Sequence, residues 1–64
     1  MKNYVTKNNT YTINENNEIS GGIFGNEVKK ISKILVAEKN CPLILELEDG
    51  RYVTTSVVQE IKIA

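Results

Sequence analysis

Hydrophobic and polar positions alternate most regularly from Leu43 onward, where Leu43, Leu45 and Leu47 recur at every second residue. Asp49-Gly50 interrupts the run, and Tyr52 to Val57 resumes it with β-branched and aromatic residues that favour strands. This predicts a hairpin, and its register can be argued. A two-residue loop, Asp49-Gly50, would pair Glu48 with Arg51 and put the leucines on the face of Tyr52, Thr54 and Ser56. A three-residue loop, Glu48-Asp49-Gly50, is a type I turn closed by Gly50 as a left-handed bulge. It sets Leu47 opposite Arg51 and Leu45 opposite Val53. One face then carries Leu43, Leu45, Leu47, Val53, Thr55 and Val57. The other carries Ile44, Glu46, Tyr52, Thr54 and Ser56. A slip of one residue exchanges the faces, so the cleaner apolar face selects the bulged loop.

Before the hairpin, Tyr4-Val5-Thr6 and Thr10-Tyr11-Thr12-Ile13 read as short strands around a turn at Lys7-Asn8-Asn9. A second turn is expected at Asn14-Glu15-Asn16-Asn17, because Asn tolerates left-handed geometry. Glu18-Ile19-Ser20 starts a third strand, which Gly21-Gly22-Ile23-Phe24-Gly25-Asn26 interrupts with a bend or loop. The segment from Val28 to Glu38 reads two ways. Val28, Ile31, Ile34 and Leu35 fit one helix face, with Asn26 as a cap. The β-branched residues and the lack of a terminating glycine favour a loop or helical turn followed by a strand over Ile31 to Ala37. Lys39-Asn40-Cys41-Pro42 is a turn, with Pro42 removing a backbone donor. A 3₁₀ turn is expected at Ser56-Val57-Val58-Gln59, before a last strand at Glu60-Ile61-Lys62-Ile63.

This order of elements resembles the architecture of a small SH3-like barrel over roughly Ile19 to Ile63. It has an irregular loop early, a tight hairpin later and a 3₁₀ turn before the closing strand. The resemblance implies an all-β fold: a five- to six-stranded barrel or meander with one short helical turn. The alternative is α+β with a helix near residues 27–37. It does not extend to the motifs of peptide-binding SH3 domains, since there is no tryptophan and no tyrosine pair in the early loop. Fold analogy in any case does not confer function.

Sixty-four residues make one domain, 1–64. A chain of this length buries only about 60% of the surface its unfolded form exposes. Ordering it costs roughly 100 kcal/mol, which nearly cancels the gain from burial. Small domains often add a disulfide, a metal or a partner subunit. Cys41 is the only cysteine and there is no histidine, which excludes an internal disulfide and the usual zinc sites. The eight acidic residues are scattered rather than clustered as a Ca²⁺ site requires. No cofactor is expected, and the balance tips toward a homo-oligomer. The start, Met1-Lys2-Asn3-Tyr4, carries no apolar run, and the longest aliphatic runs have four residues, as in Ile34 to Ala37. No membrane association and a cytoplasmic location are therefore expected. Zero net charge argues against a strong pull toward nucleic acid. Asn, Ile and Lys supply 23 of the 64 residues, a bias that matches AT-rich codons and points to a low-GC bacterium or one of its phages.

Candidate chemistry is sparse. Without histidine there is no Ser-His or Cys-His pair, so the chain is read as non-enzymatic. Cys41 is read as a half-buried side chain before a proline, and Gly21 to Gly25 fails the phosphate-loop spacings. Lys29, Lys30 and Lys33 form the one basic cluster, for phosphate or an acidic partner. Tyr52, Thr54 and Ser56 share the outer face of the hairpin with Ile44, as a binding row or a subunit seam. The leading expectation is a phage- or mobile-element protein that binds and inhibits a host protein, possibly a defence component, in stoichiometric fashion. The alternative is an oligomer that sequesters a nucleotide-like ligand between subunits. There Lys29, Lys30, Lys33 or Arg51 would meet phosphate, and Tyr52 or Phe24 would stack on a base. A nucleic-acid-binding β module is the weakest of the three, since such modules interleave aromatic with basic residues.

Overall fold

The computed structural model describes residues 1–63. The strands are β1 (Lys2–Val5), β2 (Thr10–Ile13), β3 (Glu18–Gly21), β4 (Lys29–Val36), β5 (Pro42–Leu47), β6 (Tyr52–Val57) and β7 (Glu60–Ile63). They form a single antiparallel sheet in the order β6-β5-β4-β3-β2-β1-β7. The chain is therefore all-β, with seven strands where five or six were expected. It is a meander, and it does not close into a barrel: among the described residues no ladder joins β6 to β7.

The two edge strands are nevertheless consecutive in the chain, linked only by Val58 and Gln59. A flat sheet cannot satisfy that connection, so the sheet coils until its ends approach each other. Val58 fixes one side of the joint: its N–H donates to the Cys41 carbonyl (2.9 Å) and its carbonyl accepts the Asn40 N–H (2.7 Å). Gln59 fixes the other, donating to the Val5 carbonyl at the end of β1 (2.7 Å).

The concave face of this coil is the core. Period-2 alternation brings Tyr4 opposite Tyr11, Ile13 opposite Ile19, Ile31 opposite Leu47 and Leu45 opposite Val53, all buried. Ile19, Leu43, Leu45 and Val58 are fully enclosed. The turns are held by local side chains. Thr6, the one buried polar residue among those described, closes the β1–β2 turn through its hydroxyl and the Asn9 backbone. Asn14 Oδ1 accepts the N–H groups of Asn16 and Glu18, and Asn17 takes the left-handed conformation expected of an Asn-rich turn.

The hairpin has the bulged loop. Leu47 N–H donates to the Arg51 carbonyl (2.8 Å), Gly50 N–H to the Leu47 carbonyl (3.0 Å), and Gly50 has φ 91°. Leu45 stands opposite Val53. The expected inward face fails at its far end, however. Val57 is 49% exposed, and Val58 is buried instead. The register shifts by one between the Pro42–Val57 and Ile44–Thr54 pairs, so β6 has an extra residue opposite Leu43. Leu43 N–H donates to the Thr55 hydroxyl (3.1 Å), and that hydroxyl donates onward to the Ser56 carbonyl (2.7 Å). Past this bulge the alternation is inverted.

Two other expectations need correction. There is no helix near residues 27–37: β4 runs through it, starting two residues before Ile31. The helix-like spacing of Val28, Ile31, Ile34 and Leu35 has a β explanation. Two register shifts, between Ile31 and Lys33 and between Ile34 and Val36, each insert a residue and break the two-residue period. The 3₁₀ turn expected at 56–59 is replaced by strand and link. The 3₁₀ turn of the described residues lies instead at Gly22–Phe24, inside the glycine-rich bend.

Candidate functional site

The eight residues singled out from the sequence fall into two groups. The first lies on the convex face of β4, β5 and β6. Cross-strand pairing arranges three rows there: Lys33, Glu46 and Tyr52; then Val36, Ile44 and Thr54; then Pro42 and Val57. Ile44 is at the centre of the face, half-buried by its neighbours, while Tyr52 is 67% exposed. Ser56 is exposed but sits at the bulge, out of the ladder, and Val57 takes the outward position that alternation had reserved for Ser56. The face is thus more apolar than the row Tyr52, Thr54, Ser56 suggested. Val36, Pro42 and Val57 were missed as members of it. Pro42 was the available signal, since a residue with no N–H cannot complete the ladder opposite Val57.

The second group lines a cleft between the 3₁₀ turn and the hairpin tip. Phe24, Lys29 and Arg51 meet there with Ile23, Glu27 and Leu47, around a space of roughly 470 Å³. Phe24 is held edge-on against Tyr11, with ring centroids 6.2 Å apart. The Tyr11 ring in turn lies so close to the Gly22 backbone that no side chain fits at that position. Both cations are already paired: Lys29 Nζ with Glu27 (3.1 Å), and Arg51 Nε with Asp49 (3.1 Å). Lys30 lines an adjoining opening of roughly 250 Å³ with Val28, Glu48 and Asp49.

The basic cluster is not one patch. Lys29 pairs with Glu27, Lys30 stands across from Glu18, and Lys33 stands across from Glu46. Lys29 is ion-paired, and Lys30 and Lys33 each have an acidic residue as cross-strand neighbour, which lowers the local field.

Comparison with protein-family models, with curated proteins and with solved structures gives no match. The function must therefore be argued from the geometry.

The hairpin tip carries the clearest electrostatic perturbation. Asp49 Oδ1 accepts the Arg51 backbone N–H (3.0 Å) and Oδ2 accepts Arg51 Nε. That backbone hydrogen bond, with the guanidinium charge, holds the Asp49 carboxyl below its ordinary value of 3.8. A carboxyl lowered in the folded state stabilises the fold above its unfolded pKa, and the contribution disappears as pH falls through the folded value. Asp49→Asn is therefore expected to flatten the acid limb of the stability profile below about pH 4. Urea unfolding of both proteins from neutral pH downward measures this. Parallel acid limbs would mean that Asp49 contributes nothing.

Proposed function

We propose that the chain is a small, non-enzymatic binding protein that engages a protein partner stoichiometrically through the convex face of β4, β5 and β6. The observation that carries this is Ile44, half-buried among Val36, Thr54, Pro42, Val57 and Tyr52 on a sheet face where Tyr52 and Val57 are exposed. Contiguous apolar surface rimmed by polar residues marks interaction sites. Tyrosine beside hydroxyl side chains is a common composition for such contacts. The side-chain inventory supports the non-enzymatic part, since a chain without histidine has no Ser-His or Cys-His pair. The Asn-, Ile- and Lys-rich composition, which matches AT-rich codons, extends the reading to a cytoplasmic phage or mobile-element protein that blocks a host protein, with a defence component as the candidate target. The SH3-like order of elements adds no peptide-binding role, because the aromatic groove residues of that family have no counterparts here.

Affinity capture from a low-GC bacterial lysate tests the reading. The wild type should recover a partner near one-to-one, and Ile44→Glu, checked for folding by circular dichroism, should lose it. Equal recovery by both, or no stoichiometric partner in repeated trials, would count against the convex face.

The cleft favours a second reading. Phe24 offers a fixed ring, and Lys29 and Arg51 offer charge to a phosphate that displaces Glu27 and Asp49. A nucleotide-like ligand sequestered between subunits would use these groups. Thermal shift with a panel of linear and cyclic nucleotides, repeated on Phe24→Ala, separates the readings. A ligand acting at the cleft raises the midpoint of the wild type and not of the variant. A nucleic-acid role draws the least support, given the zero net charge and the acidic residues paired across from the lysines.

A further inference from the structure

The two edges of the open sheet differ in kind. β7 alternates Glu60 and Lys62 with Ile61 and Ile63. Charged side chains of this sort protect an edge from adding another strand. β6 reads Tyr-Val-Thr-Thr-Ser-Val, with no charge and no proline. Its residues are among those with the highest strand preference.

Which backbone groups β6 leaves free follows from the ladder. Leu47 bonds to Arg51, and Leu43 N–H points to Thr55. In an antiparallel pair, alternate residues point their N–H and C=O groups at the partner strand. Arg51, Val53 and Thr55 thus face β5, and the N–H and C=O groups of Tyr52 and Thr54 face outward. Beyond Thr54 the bulge at Thr55-Ser56 ends the regular row.

We propose that β6 pairs with β6 of a second copy of this chain, antiparallel about a two-fold axis at Val53, to form one continuous sheet across a homodimer. The register follows from symmetry. A two-fold axis normal to the sheet sets one residue opposite its own copy. Centring on Thr54 would oppose Tyr52 to the bulged Ser56, and centring on Tyr52 would oppose Thr54 to Gly50 in the turn. Centring on Val53 opposes Tyr52 to Thr54 of the second copy, and the reverse. All outward groups of both residues are then satisfied, by two hydrogen-bonded pairs. On the convex side each pair sets an aromatic ring beside a β-branched side chain, a favourable cross-strand combination. The second copy fits better than a foreign strand for two reasons. An uncharged, β-branched edge is itself the kind of strand this edge accepts. The formal net charge of zero also leaves no repulsion between copies. The dimer extends the convex face without covering Ile44, so it does not rest on the partner reading above.

The seam is short. A standard interface takes about 800 Å² from each partner, close to a fifth of the 4234 Å² this chain exposes. Pairing over a few residues buries less, so half-dissociation is expected on the order of tens of micromolar.

Sedimentation equilibrium from about 5 to 500 µM, a range that brackets this value, tests the proposal. The wild-type mass should rise from 7.2 kDa toward twice that value. Thr54→Pro removes an outward N–H without touching the β5 ladder and should stay at the monomer mass. Two further variants guard against a misfolded Thr54→Pro. Thr54→Lys and Thr54→Glu should each be monomeric alone, because like charges meet diagonally across the seam, and a one-to-one mixture should recover the dimer. In the wild type, exchange of the Tyr52 and Thr54 amides should slow about fivefold between the ends of the concentration range, as the monomer fraction falls. A wild type that stays monomeric throughout, a folded Thr54→Pro that still dimerises, or an association that continues past two copies would overturn the proposal. Ile44→Glu, expected to lose the partner, should still dimerise, which separates this outcome from the fate of the partner reading.

Discussion

Gly22→Ala is expected to destabilise the chain by about 3 kcal/mol or more, adding left-handed backbone strain to a collision within the core. Gly22 has φ 53°, and a methyl group there would overlap the ring of Tyr11, which is itself 2% exposed and packed against Tyr4 and Phe24. The ring cannot retreat without displacing the core, so the strain cannot relax locally. Gly50→Ala is the control. Its φ of 91° is equally unfavourable, but nothing lies near the added atom. It should cost only the conformational part, about 1–2 kcal/mol. The difference should appear as separate urea midpoints, about 1–2 M apart at an m-value near 1 kcal/mol/M. Equal midpoints would show that Tyr11 does not pack on the glycine bend.

Val58→Asp is expected to cost about 4 kcal/mol or more, since it buries a carboxylate with no partner. Val57→Asp should cost less than about 1 kcal/mol, as at other exposed positions. The contrast is large because the two valines are adjacent and chemically identical, and only the bulge decides which faces inward. Val58 also holds the joint between the ends of the sheet, so its loss should unfold β6 and β7 together. Thermal unfolding followed by circular dichroism reads both variants. The reverse order of stability would remove the bulge and restore simple alternation through β6.

These two sites mark where the sequence was readable and where it was not. The turn Glu48-Asp49-Gly50 was legible because the register is fixed locally: a glycine supplies the left-handed position, and the wrong register would bury Tyr52, Thr54 and Ser56 with the leucines. β2 and β7 were legible for a similar reason, as short alternating runs bounded by turn residues. The inversion at Val57 was not, because it depends on the Thr55 hydroxyl taking the Leu43 N–H from across the hairpin. Alternation within one strand cannot register a hydrogen bond made to another. β4 was legible as a strand but not in its bounds, since two bulges imitate helical spacing and blurred its start. The candidate site was legible as a set of residues but not as a grouping. Tyr52 and Thr54 share the convex face, whereas Phe24, Lys29 and Arg51 share the cleft, and only the coiling of the sheet separates them. Val36 and Ile44 meet across a pairing with seven residues between them in the chain, and no motif announces such a contact.

The arrangement links a structural problem to a functional one. A chain this small spends its apolar residues on one curved face and still has Val36, Ile44, Tyr52 and Val57 on the other. Those residues add little to the core, so their cost in solubility needs a reason outside the monomer. A bound protein partner provides one, and the uncharged edge of β6 provides a route to a second copy beside it.

Site-specific photo-cross-linking addresses the binding face most directly. Ile44→p-benzoylphenylalanine places the reactive group at the centre of the convex face, and Ile23→p-benzoylphenylalanine places it at the cleft, where Ile23 is 70% exposed. In cells carrying the natural partner, the expected result is one discrete heterologous adduct from position 44 and none from position 23. An adduct from position 23 alone would move the site to the cleft and contradict the convex-face reading.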